Sequence, residues 1–159
     1  MAGILQSNAV TPGHPAIWIT DGVIADGGPI PYSSKVLASL IGADFNNANN
    51  DQPILLPSLL NAFQLTGIIV ANASVSLSVA VGGFYPQVSQ GGSAIVSAGQ
   101  TYSALTSSAL LLNATLTAYA QAQYFTRTQL ANWAIYLNLT TPQGSVATAN
   151  VYLLGVQLA

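Results

Sequence analysis

The chain has no cysteine and no glutamate, a single histidine, two basic residues and four acids in 159 residues. Each shortage excludes something. Without cysteine there is no disulfide framework and no thiolate metal site. With only Lys35 and Arg127 as bases, no stripe can neutralise phosphates, so nucleic acid is not an expected partner. An anionic membrane surface fails for the same reason. No run of about 18 apolar residues exists, so no spanning helix is expected. Residues 1–13 lack the basic start and continuous apolar stretch of a signal peptide. A transmembrane barrel would share the alternation described below, and the missing export signal argues against it.

Charged residues make up 4% of the chain, against roughly 25% in an average soluble domain. The acids, Asp21, Asp26, Asp44 and Asp51, all lie in the first third, and Arg127 is the only formal charge after Asp51. A monomer normally stays soluble through mixed surface charge. This chain lacks that means, and the expectation is a surface largely covered by protein neighbours. Neutral Ser, Thr, Asn and Gln, which are plentiful, are the competing explanation.

The length suits one domain with one core. Ala16–Thr20 and Val23–Asp26 are short apolar runs flanking Asp21-Gly22, a strong hairpin signal because both turn residues must take positive φ. Gly27-Gly28-Pro29 then punctuates the chain. From Ser33 to Phe45, a serine cap, the set Val36, Leu37, Leu40 and Ile41, and Gly42 as a stop predict a short helix over about 34–42. The polar loop Asn46-Asn47-Ala48-Asn49-Asn50-Asp51 follows, and the expected boundary lies there: an N-terminal extension over 1–52 and a β domain over 53–159. Beyond it the period becomes two. Ala73 to Val81 has apolar odd positions, and Gly82-Gly83 is expected to close that strand. Leu110 to Ala118, Trp133 to Thr140 and Ala147 to Leu153 alternate likewise, with weaker strands at 62–70 and 94–97. Pro142-Gln143-Gly144 fits a type I turn starting at Thr141. About eight strands at such intervals predict an all-β, jelly-roll-like β-sandwich. An immunoglobulin-like sandwich and an intertwined trimeric sheet fit the spacing as well.

Candidate chemistry is thin. His14 with Asp21 or Asp26 has no nucleophile elbow beside it, and Pro12-Gly13-His14-Pro15 reads as a turn. Asp21 and Asp26 have hairpin roles, which weighs against a general acid–base pair. The oxygen ligands of 44–51 do not match an EF-hand loop. The acceptor triplets at Asn72, Asn113 and Asn138 fall in expected strands and matter only in a secreted eukaryotic protein. Gly27-Gly28, Gly82-Gly83 and Gly91-Gly92 lack the lysine and helix of a phosphate loop and read as turns. Phe84, Tyr85, Tyr102, Tyr119, Tyr124 and Phe125 would line a glycan groove or, the favoured reading, serve as core and interface anchors. No catalytic, cofactor or metal residue is expected, and the chain is read as non-enzymatic.

Val10-Thr11-Pro12-Gly13-His14-Pro15-Ala16-Ile17-Trp18, with Thr20-Asp21-Gly22-Val23-Ile24-Ala25-Asp26-Gly27-Gly28, resembles an N-terminal motif of tailed-bacteriophage virion proteins. That motif occurs in head decoration, head-fibre and some tail-fibre proteins. Tyr136 to Gly144, Ala147 to Tyr152, Gly83-Phe84-Tyr85 and Gly91 to Val96 are similar to a β domain of phage virion proteins. Directly, these stretches cover roughly a third of the chain. No long shaft or repeat follows the motif, so the resemblance implies a capsid decoration, or cement, subunit on the outer surface of the virion shell. Its implied partners are the major capsid protein and further copies of itself, as dimer or trimer. A tail-fibre or receptor-binding module recognising a host glycan is the alternative.

Overall fold

A computed structural model describes residues 34–158 in full and, before them, the strands β1 (Leu5–Gln6), β2 (Ala16–Thr20) and β3 (Val23–Asp26) as backbone. The chain divides into two compact units, Met1–Ser33 and Ser34–Ala159. In the first, β2 and β3 pair antiparallel from Ala16 opposite Asp26, as the hairpin signal predicts, and β1 adds to β3 in parallel. The turn residues Asp21 and Gly22 lie outside the described residues, as do the glycine–proline link at 27–31 and His14.

The second unit is all-β, built on two sheets. Its strands are β4 (Lys35–Asp44), β5 (Gln52–Leu55), β6 (Ala62–Ala71), β7 (Val81–Tyr85), β8 (Leu111–Ala114), β9 (Phe125–Thr126), β10 (Ala134–Thr141) and β11 (Thr148–Leu158). One sheet runs β5-β10-β7, the other β4-β11-β6-β8, with β9 beside β6. The pairing is nested: β4 with β11, β5 with β10, β6 with β8, all antiparallel. Innermost, β7 meets Val96 and Thr101 through isolated antiparallel bridges. A single helix of one turn or so, α1 (Ala118–Ala122), is capped by Thr117, whose hydroxyl accepts from the Ala120 N–H.

Both sheets feed one core. Ile54, Phe84, Ile135, Leu137 and Leu139 come from the first sheet, and Phe63, Leu65, Ile68, Val70, Val151 and Leu153 from the second. On β11 the buried positions are Ala149, Val151, Leu153 and Gly155, and the first three are the odd set the alternation predicts. At one end Phe63 stacks on Phe125 at 5.5 Å and meets Trp133 edge-on at 5.9 Å. Elsewhere Phe45 meets Tyr102 edge-on at 4.9 Å.

Five expectations are corrected. Residues 34–42 form no helix; from Lys35 on they belong to β4. Two bulges on β4 explain the helical look. Leu37 is extra between the pairs Val36–Leu154 and Ala38–Leu153, and Ile41 and Gly42 together oppose Asn150. Buried Leu37 and Ala43, with Leu40 between them, are therefore spaced by three rather than two. Gly42 holds φ +70° at the second bulge, a backbone that glycine adopts without cost. Because β4 pairs with β11, the boundary falls at Ser33/Ser34 and not after residue 52.

Residues 73–80 are not a strand. Asn72 takes φ 54° and turns the chain out of β6. The Ser74 and Leu77 N–H groups then bond to the Thr148 and Leu105 carbonyls in place of a ladder. Ala73, Leu77 and Ala80 are buried while Val75 and Val79 are exposed.

Gly82-Gly83 is not a turn. It lies inside β7, where a Cβ on Gly82 would strike the Asn138 carbonyl and Leu139, and one on Gly83 would strike the backbone at Val96 and Ser97. Finally, the strand expected over 110–118 ends at Ala114, and α1 takes up Ala118.

Tyr102, fully buried, donates its hydroxyl to the Gly82 carbonyl at 3.1 Å. Burial, with the Tyr85 phenol beside it, pushes the Tyr102 phenol well above the ordinary value of 10.0. The folded chain thus keeps a proton that the unfolded chain releases from about pH 10, so stability falls as pH rises beyond that point and is unaffected below it. Urea titrations at about pH 8 and pH 11 should show a steep alkaline loss in the native chain and a shallower one in Tyr102→Phe.

Candidate functional site

The charged groups of the second unit are Lys35, Asp44, Asp51 and Arg127, two of each sign, for a formal net charge of zero. Each is bonded inside the fold. Lys35 Nζ donates to Gln157 Oε1 at 2.9 Å. Asp44 Oδ1 accepts from the Asn46 N–H at 2.7 Å, an Asx turn that starts the polar loop. Arg127 lies 4.8 Å from the Trp133 ring centroid and donates to the carbonyls of Ser58 and Leu60. Trp133 Nε1 completes that corner by donating to the Pro57 carbonyl at 3.0 Å.

Asp51 is at the centre of a polar network on the outer face of β5-β10-β7. Its Oδ1 accepts from Asn138 Nδ2 at 2.8 Å, and its Oδ2 from the Ser89 N–H at 2.7 Å. Asn138 Oδ1 in turn accepts from Gln90 Nε2 at 2.9 Å. Asn49 donates its N–H to the Leu139 carbonyl at 2.8 Å. Asn49, Ser89, Gln90 and Asn138 line a cleft of about 250 Å³. Asn49, Ser89 and Gln90 hold φ of 56°, 54° and 58°, left-handed conformations that cost each residue about 1 kcal/mol or more.

The network offers little for catalysis. Both Asp51 oxygens accept a hydrogen bond, one from the Asn138 amide and one from the Ser89 N–H. What it does is fasten the loop over 86–92 onto β10. All of Ala134 to Leu139 is buried, on both faces of the strand, where simple alternation places Tyr136 and Asn138 outside.

The sequence candidates fall apart in space. Asp44 and Asp51 turn to different partners, and among the described residues no three His, Cys, Asp or Glu side chains converge. Asn72 sits in the turn after β6, Asn113 on β8, and Asn138 is buried. Of the aromatic set, Phe84, Tyr85, Tyr102 and Phe125 are core. Tyr119 packs against the core from the edge, and Tyr124 is 59% exposed. These rings form no continuous groove.

Matched against protein-family models, curated proteins and solved structures, the chain resembles none of them.

The sheet β4-β11-β6-β8 turns an apolar outer face away from the core. Cross-strand pairs share a face, so the pairs Leu154–Val36, Tyr152–Ile69, Tyr152–Ser39 and Ala71–Leu111 all point outward. Val36 is 56% exposed, Leu111 60% and Ile41 64%. An antiparallel sheet with one solvated face ordinarily shows polar residues there. Asn150, the polar residue at its centre, is internally satisfied, accepting from the Gly42 N–H at 3.0 Å and donating to the Tyr152 hydroxyl at 3.3 Å. None of the side chains in these pairs is charged. The signal was present in the sequence as adjacent apolar residues, Ile68-Ile69-Val70 and Tyr152-Leu153-Leu154, which must occupy both faces of their strands.

Asn138→Ala should cost about 2–3 kcal/mol, because it strips a bond from the half-buried Asp51 carboxylate and leaves the Gln90 amide without its acceptor. Urea unfolding measures that loss, and faster hydrogen exchange at Ser89 would report the loop coming loose.

Proposed function

We propose that the chain is a non-enzymatic virion structural protein: a capsid decoration subunit that binds the outer surface of the shell and stabilises it by non-covalent packing. One observation carries the reading. All four ionisable side chains that set the charge of the second unit also bond within its own fold, so its exterior carries few charges, which sum to zero, and over one sheet it is largely apolar. Such a surface associates with little ionic desolvation. Apolar burial supplies about 25 cal/mol per Å² before the costs of ordering.

The nested strand pairing supports the finer proposal of a jelly roll. Sheets β4-β11-β6-β8 and β5-β10-β7 follow from wrapping a long hairpin whose outermost strands pair, then the next, with Val96 and Thr101 supplying the innermost partner of β7. Jelly rolls form viral capsid proteins and lectins alike, so the fold agrees with the assignment without choosing it. The resemblance of Val10 to Gly28 to phage virion proteins favours the shell. The major capsid protein is the proposed partner there, with Met1–Ser33 as a second attachment element.

Electron microscopy of particles decorated with the gold-labelled chain tests this directly. Label spread over the head at many copies is the expected image. Label confined to the tail, or absent from particles, would overturn the proposal.

A further inference from the structure

We infer that the outer face of β4-β11-β6-β8 is a contact between two copies of this chain, packed sheet on sheet about a twofold axis. The inference deepens the structural reading above and rests on it, naming the partner of one surface.

The occupant follows from chemistry and size. The face joins Val36, Ile41, Ile69, Leu111, Tyr152 and Leu154 across four strands. A partner selected for charge complementarity finds nothing there to pair with. A second identical face, however, meets it with no like-charge repulsion, which is what a self-complementary twofold contact requires. Of its polar groups, Asn150 and the Tyr152 hydroxyl already bond to each other, while exposed Ser39 and Asn113 on the same face need partners on burial.

The area is sufficient. With strands of 10 residues rising about 3.4 Å each and spaced about 4.8 Å, the face projects to roughly 550 Å². Two such faces bury about 1,100 Å² before side-chain relief is added, which clears the roughly 1,000 Å² expected of a specific interface.

The face also has relief to engage. β8 covers β6 from Ile68 to Ala71 and β9 covers Ala62 and Phe63, leaving Gln64 to Gly67 without a strand on that side. The gap opens a groove of about 680 Å³ bordered by Thr66, Asn113, Gln121 and Leu154. A protruding apolar side chain of the opposite copy fits such a groove, and sheet packing of this kind brings side chains about 10 Å deep between layers.

Sedimentation of the full chain over a concentration series provides the test, with circular dichroism to monitor folding. The native chain is expected at twice its 16.3 kDa mass. Ile69→Arg and Leu154→Arg, on the two central strands, should each weaken pairing by about thirtyfold or more, the size of one interfacial hot spot. Val88→Arg, on the loop over the other sheet, should leave it intact. Leu111→Arg changes a side chain already 60% exposed, so it decides the matter should a central variant fail to fold. A native chain that stays monomeric, or pairing that persists in folded Leu111→Arg and the central variants, overturns the inference. A monomer that still coats particles refutes this contact alone. A dimer that these variants split, but that attaches to no particle, refutes the capsid reading alone.

Discussion

Scarcity of ionised side chains is the constraint on which the rest of this structure depends. The second unit has two cations and two anions in 126 residues, and it uses all of them as internal fasteners. Arg127 closes the end of the core over Trp133 and the carbonyls of Ser58 and Leu60. Asp51 clamps the loop after β7 onto β10 through Asn138 and Ser89. With so few charges, and those also bonded within the fold, most of the exterior is left to amides, hydroxyls and apolar groups. The apolar sheet face is thus the visible consequence of a chain that has little charge to spare.

The polar network shows the cost of that economy. The Asp51 carboxylate accepts one bond on each oxygen, from Asn138 Nδ2 and the Ser89 N–H, and Gln90 Nε2 in turn holds the Asn138 amide oxygen. Holding them in register requires left-handed backbone at Asn49, Ser89 and Gln90. The loop holds Asn138 through Gln90, Ala131 and Asn132 hold the Tyr136 hydroxyl, and β10 is a strand buried on both faces. Strain, clamp and burial form one device, and its role is to seal the outer side of the smaller sheet while the larger sheet stays open.

Much of this was legible in the residues. The hairpin at Ala16–Asp26 and the alternation in β11 came directly from turn chemistry and period. β4 was not legible, because its two bulges turn a period of two into spacings of three, which local pattern cannot separate from a helix. The Ser-rich stretch at 73–80 alternates like a strand but finds no neighbouring strand, and only tertiary pairing decides that. The Asp51–Asn138 pair spans 87 residues, beyond any motif spacing. The open apolar face was written in doubled apolar residues at 68–70 and 152–154. Reading it required knowing that no layer of the same unit covers that side.

The central claim is that association runs through neutral, apolar surface and not through ion pairs. Salt dependence tests it most directly. The affinity of the full chain for its assembly partner, itself or a particle, should stay flat or tighten as sodium chloride rises from about 50 mM to 500 mM, because there is no charge contact to screen. A tenfold or greater loss of affinity over that range would contradict the account.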